Sequence, residues 1–207
     1  MLIHYLLLIS ASVMLSKLSV RPLRALSYTD TPLFYDDMGC MLSVLLSVSF
    51  TVSFYVKTDI ISKILMVILL FCLCCITYTD SQAGYIYDRF HIVILLIGIA
   101  QLFIKGFSMT DLQDSISGCI IGGGFLQLMN CLSILIFKKE GIGGGDVKLC
   151  FACGLVLGLK GMISAFIFAF FPAALYAFIS GAVRGREVAL GPFLCVSIAA
   201  VYCIGML

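Results

Sequence analysis

Gly141-Ile142-Gly143-Gly144-Gly145-Asp146-Val147-Lys148 separates two strongly apolar segments, at about residues 115–137 and 147–159. Four glycines, an acid and a lysine make a poor centre for a helix in hydrocarbon, so the segments on either side read as separate helices whose ends meet here. An ionisable residue this close to hydrocarbon is costly, and where one occurs it marks a pathway or a reaction. The glycines leave the backbone bare, so another chain can approach closely. A carboxylate next to accessible backbone points to chemistry on peptides.

Outward from this stretch the chain is apolar almost throughout. Of its 207 residues 62% are hydrophobic and 12% charged, far from the usage of water-soluble domains. Runs long enough to span a bilayer lie at about 1–16, 39–56, 59–79, 90–104, 115–137, 161–183 and 189–207. The shorter run at 147–159 spans if its first residues lie at the interface and Lys160 snorkels. The expected fold is an all-α, polytopic transmembrane helix bundle of about eight spans, or seven if the short run folds with its neighbour, forming a single integral-membrane domain over residues 1–207. Lys17, Arg21 and Arg24 follow the first apolar run instead of preceding it. That is the reverse of a secretory signal, so the run reads as a retained anchor with its N-terminus outside.

Charge sets the orientation. With eight spans, the odd-numbered loops carry Lys17, Arg21, Arg24, Arg89, Lys138, Lys139, Lys148, Arg184 and Arg186, and the even-numbered loops carry Lys57, Lys105 and Lys160. The positive-inside bias places the odd loops in the cytoplasm, and with them Asp80, Asp88 and Asp146. Asp111 and Asp114 fall on the outer side and are excluded from the chemistry. Asp30, Asp36 and Asp37 read as a solvated loop, or, given the basic leader that the resemblance described below implies, as its electrostatic attractor. The 13 basic and 11 acidic residues are interspersed, leaving no tract for a nucleic-acid backbone. Most of the ten cysteines lie in apolar runs and behave as small hydrophobes. Cys150 and Cys153 form a CxxC with no second pair, so neither a metal site nor a structural disulfide is expected. His4 and His91 show no pattern that points to catalysis.

Two acids at one membrane face have a defined use. A pair sharing one proton can activate water with its ionised member and polarise a peptide carbonyl with its protonated member, without metal or cofactor. The candidate catalytic pair is Asp80 and Asp146, with Asp88 as the alternative to Asp80. Asp80 is favoured because it ends an apolar span, where it is desolvated, whereas Asp88, beside Arg89, is solvated and ionised. The plain alternative is that Asp80 and Asp88 are ordinary interfacial acids. Gly143, Gly144 and Gly145 are candidate substrate-binding residues, as partners for an extended peptide backbone. Lys148 reads as a substrate contact, a modulator of a nearby carboxylate, a ligand for lipid phosphate or an interface anchor. Gly118, Gly122, Gly123, Gly124, Gly154 and Gly158 offer small-residue surfaces to neighbouring helices of the same chain, or, as the resemblance described next implies, to a substrate helix.

Three segments resemble the type IV prepilin peptidases, which are membrane-embedded GxGD aspartyl proteases. Gly143-Gly144-Gly145-Asp146-Val147-Lys148-Leu149 is similar to their GxGDxKL, and Ala152, Gly154 and Gly158 fall where the family has small residues. Asp80-Ser81-Gln82-Ala83-Gly84-Tyr85-Ile86-Tyr87-Asp88 is similar to the first aspartate motif, with Tyr87 where the family has proline. Leu190-Gly191-Pro192-Phe193-Leu194 is similar to the GPFL element that opens the last span. The resemblance implies a peptidase of the cytoplasmic (inner) membrane that needs no cofactor. Its partners would be type IV prepilins or pseudopilin precursors and membrane lipid, and it would remove a short basic leader at the cytoplasmic face. Many family members also methylate the new N-terminus with S-adenosylmethionine and carry a cysteine-rich cytoplasmic segment. Here the first cytoplasmic loop is about 22 residues, 17–38, without cysteine, so the chain resembles a short form and methylation is not implied. The alternatives are a peptidase for flagellin-like subunits, and a non-enzymatic transporter or pilin-binding subunit. A transporter would show inverted repeats and acids in mid-span, and neither is seen.

Overall fold

The computed structural model describes residues 59–179 and 189–206. The expected spans at 1–16 and 39–56, the loop 17–38 with its three acids, His4, Arg184 and Arg186 lie outside the described residues. All regular structure among the described residues is helical: α1 (Ile60–Ala83), α2 (Asp88–Ile104), α3 (Met109–Phe137), α4 (Gly144–Ile179) and α5 (Gly191–Met206). A helix pairs every interior backbone group within its own segment, which is what an apolar chain needs where water is absent. Among the described residues three helical segments, Ile60–Ser81, Met109–Phe137 and Gly144–Ile179, are long and apolar enough to cross a membrane.

The helix ends follow local chemistry. α1 stops at Gly84, which takes a left-handed conformation (φ 61°) and donates its N–H to the Asp80 carbonyl at 2.9 Å. Glycine meets that conformation without a Cβ penalty, and the turn leaves Asp80 in the last helical turn. Ser108 caps α3 by accepting the Thr110 N–H at 3.3 Å. The sequence placed Gly144, Gly145 and Asp146 in a loop, but the helix already begins at Gly144. The first turn of a helix has no intrahelical acceptors for its N–H groups, so glycines are tolerated there better than in the interior.

α4 does not run straight. Gly158 has φ 69° and ψ −177°, outside helical space, and the helix axis breaks there. A Cβ on Gly122 would meet the Cys150 carbonyl oxygen and, at 3.4 Å, Met162 Cγ. In a straight helix Cys150 and Met162 stand ~18 Å apart along the axis. The second half has therefore folded back along α3, where Phe125 stacks with Phe166 (5.3 Å) and Phe170 (6.1 Å). The run expected at 147–159 and the described part of the run expected at 161–183, as far as Ile179, are the two arms of this bend. Asp114 of α3 reaches the break, and its Oδ1 accepts the Leu159 N–H at 3.2 Å, capping the second arm. Asp114→Ala should lower stability by about 1 kcal/mol, the usual cost of losing such a cap, with no loss at the opposite end of the bundle. Thermal unfolding in detergent checks it.

Glycine brings α3 and the first arm of α4 into backbone contact. A Cβ on Gly118 would strike the Gly154 carbonyl oxygen and lie 2.9 Å from Gly158 Cα; one on Gly154 would lie 2.7 Å from Cys119 N. Without a hydrophobic drive between helices in lipid, such close approach supplies the packing. The core beneath contains Leu69, Ile76, Ile94, Leu126, Leu149, Leu194 and Ile198, interleaved with the buried Cys72, Cys75, Cys150, Cys153 and Cys195. α2 turns Ile94, Ile97 and Gln101 inward and leaves Ile92, Leu96, Ile99 and Phe103 exposed. Gln101 hydrogen-bonds the Tyr202 hydroxyl of α5, tying together the C-terminal ends of α2 and α5. At the other end of the bundle the close of α1 and α3 meets the start of α2, α4 and α5.

Candidate active site

Three helix ends converge on Gly191, the first residue of α5. A Cβ there would lie 2.8 Å from Asp80 Cγ, closer still to Asp80 Oδ2, and 3.3 Å from Asp146 Oδ1. Asp80 comes from the last turn of α1 and Asp146 from the first turn of α4, and each is 8% exposed. Asp80 Oδ2 and Asp146 Oδ1 are enclosed and accept no hydrogen bond from the described protein atoms. The absence of a side chain at Gly191 is what lets both carboxyl groups border one point.

Each approach to that point is held by a specific contact. The buried Asn130 of α3 accepts the N–H groups of Gly141 and Ile142 with its Oδ1, at 3.2 and 3.3 Å, fastening the segment before α4. The Asp146 N–H donates to the Gly143 carbonyl at 3.1 Å, closing the turn that starts α4. Gly145 packs on the buried Ile86 of the α1–α2 link, where a Cβ would come within 3.1 Å of Ile86 Cβ. A Cβ on Gly143 would lie 3.5 Å from Asp146 Oδ2, whereas nothing lies within 4 Å of one on Gly144. Of the three candidate substrate-binding glycines, Gly143 adjoins a carboxyl group, Gly144 borders open space and Gly145 has an internal neighbour.

Asp88 belongs to a different group. It is exposed at the start of α2, and its Oδ1 accepts from Lys148 Nζ at 2.8 Å, with His91 Nδ1 3.6 Å away. The hydrogen bond and charge of Lys148 hold the Asp88 carboxyl below the usual carboxylate range. Asp88 therefore stays ionised at neutral pH, and the pair is lost only as pH falls through that lowered value. Replacing Lys148 with Met should raise the Asp88 titration toward an ordinary carboxylate, visible in the infrared carboxyl band against an Asp88→Asn reference.

The sequence had marked Gly191 as part of a motif without assigning it a contact, and had seen no role for His91, which is buried beside Asp88. The signal for Gly191 was a glycine-proline pair opening an apolar run, which reads as an ordinary helix start. Asn130, a lone amide in an otherwise apolar span, was the available signal for the fastening of the GGGD segment.

Comparison with known proteins places the chain in a family. The chain is 28% identical over 122 residues to the prepilin leader peptidase/N-methyltransferase of Neisseria gonorrhoeae, covering 59% of this chain and 42% of that protein. It is 28% identical over 118 residues to the prepilin leader peptidase/N-methyltransferase of Escherichia coli (strain K12), covering 56% of this chain and 52% of that protein. The chain thus spans about half the length of the curated relatives it matches. No solved structure matches it significantly. Residues 67–178, which run from within α1 almost to the end of α4 and include Asp80 and Asp146, match the model of the type IV leader peptidase family. With more than half of its length matched, and two buried aspartates meeting at one end of a helical bundle, the chain belongs to the type IV leader peptidase family.

Proposed function

We propose that this protein is an aspartic endopeptidase of the cytoplasmic membrane that removes the leader from type IV prepilins or pseudopilins at the cytoplasmic face. The observation that carries the reading is the convergence of the buried Asp80 and Asp146 on Gly191. Family membership and the names of the relatives supply the substrate class.

In this reading the two carboxyl groups hold one proton between them. The ionised carboxylate takes a proton from a water molecule as the water oxygen bonds to the scissile carbonyl carbon, and the protonated partner gives its proton to the carbonyl oxygen. The tetrahedral diol then collapses. Its hydroxyl proton returns to a carboxylate, the leaving nitrogen takes a proton from the other carboxyl, and the C–N bond breaks. The extended peptide lies along Gly143 and Gly144, with Gly145 and Lys148 shaping the edge of the site. The bundle crosses the membrane about eight times; α2 and α3 carry the chain across and back, so the links 84–87 and 138–143 share one side, the cytoplasmic one by charge, and α4 contributes two further crossings joined at Gly158. Because catalysis needs the pair singly protonated, the rate should fall on both the acid and the alkaline side of a maximum. A pH–rate profile that rises with one ionisation and stays flat would contradict the shared proton.

The test is incubation of the purified protein with a panel of prepilins, followed by mass spectrometry of the new N-terminus. A cut just before the apolar segment supports the reading. An intact panel, under conditions where a curated relative cleaves it, overturns it.

A further inference from the structure

The glycines of α3 fall into two groups. Gly118 and Gly122 are filled by the backbone of α4. Gly123 lies under the side chain of Phe151, and Gly124 has nothing within 4 Å of an added Cβ. Gly123 and Gly124 line a cavity of about 540 Å³ between α2, α3 and α4, bounded by Leu95, Val147 and Phe151 among others. Val147 follows Asp146 directly, so the cavity reaches the first turn of α4, which also carries the candidate active-site acid. Ile120 and Leu128, one helical turn before and after Gly124 and on its face of α3, are 64% and 56% exposed. The apolar lining therefore continues above and below the cavity along the helix. At its rim, the charges of Lys148 and Asp88 are already spent on each other at 2.8 Å.

We infer that this cavity receives the apolar helix of a membrane-anchored substrate, in the segment that follows the cut. The inference rests on the proposed peptidase activity and adds the place where the substrate's helix docks. Gly124, the one of the two glycines left uncovered, offers a point where a second helix can approach closely, as small residues do in helix pairs. The volume lies within the range of binding clefts and suits a turn or so of side chains, and the cleft is open along one side. Among the described residues that line the cavity, Lys148 is the sole Lys or Arg and is paired with Asp88, which favours an uncharged helix over a lipid phosphate as the occupant. Val147 and Asp146 share the first turn of α4, so the end of the cavity and the two carboxyl groups lie at the same end of the bundle.

Gly124→Leu builds a side chain into the cavity from a position where an added Cβ meets nothing within 4 Å. It should raise KM for a full-length, membrane-anchored precursor by about tenfold, the effect of losing ~1.4 kcal/mol of docking. In a second experiment a photo-crosslinking amino acid replaces Gln127, which lines the cavity, in the Asp146→Asn protein, with Leu135 of the same helix as the control position. Capture of the precursor's apolar segment from position 127, and not from 135, supports the inference. Equal KM for wild type and Gly124→Leu, or capture from 127 of lipid alone, of a second copy of this chain or of the leader, overturns it. If Gly124→Leu fails to assemble, the crosslinking result decides alone. Failure of the wild-type protein to cleave any precursor counts against the peptidase reading instead, so the two failures are separable.

Discussion

Asp146→Asn and Asp80→Asn should each lower leader cleavage by at least about 10³-fold, within the usual range for loss of a general acid or base. An amide neither takes a proton from water nor shares one with a partner. Both side chains are buried against Gly191, and asparagine is nearly isosteric with aspartate, so each variant should still insert and fold. The double variant should be about as slow as either single one, because groups that act as a unit do not contribute additively. Initial rates on a membrane-anchored precursor, normalised to the amount of inserted protein, measure all three. Asp88→Asn should retain activity, since Asp88 is exposed and engaged with Lys148. Full activity in Asp80→Asn with none in Asp88→Asn would reverse the assignment.

Gly191→Ala should be nearly as damaging, although it changes no ionisable group. The added methyl would overlap Asp80 Oδ2 and press on Asp146 Oδ1, so one or both carboxyl groups must move. A displacement of about 1 Å in a catalytic group costs on the order of 10²-fold, and that is the expected loss in kcat. Helix content and detergent unfolding should change little, because the strain falls at the start of α5 and not in the core. Gly205→Ala is the matched control near the far end of the same helix, where an added Cβ meets nothing within 4 Å. If Gly191→Ala cleaves at the wild-type rate, the two carboxyl groups are not held through this contact.

The helical character of the chain was legible in composition alone, because hydrocarbon leaves an open apolar chain no other way to pair its backbone. The placement of Asp80 and Asp146 at helix ends was legible for a related reason: each interrupts or borders an apolar run. Direction was harder to read. Hydropathy measures the length of a run and not its course, so the return of α4 along α3 depends on one backbone conformation at Gly158. Glycines also look alike in sequence. Gly118 and Gly124 differ in function only because the rotation of α3 turns one to α4 and leaves the other open. The Asp88–Lys148 pair joins residues sixty positions apart and follows from packing that no local pattern encodes.

The doubled-back course of α4 also bears on how such a chain enters its membrane. Residues 144–157, the arm before the break at Gly158, rise only ~21 Å, against a hydrocarbon core of about 30 Å. That arm also carries Asp146 and Lys148, which weigh against partitioning into lipid. As an independent segment leaving the insertion machinery it would be rejected. It is expected to enter as one half of a hairpin, after residues 159–179 have been synthesised, or against α3, which precedes it in synthesis. The segment that bears Asp146 would thus settle only with a neighbouring helix beside it, and in the proposed enzyme the two acids would be enclosed only once α5, synthesised after α4, brings Gly191 to them.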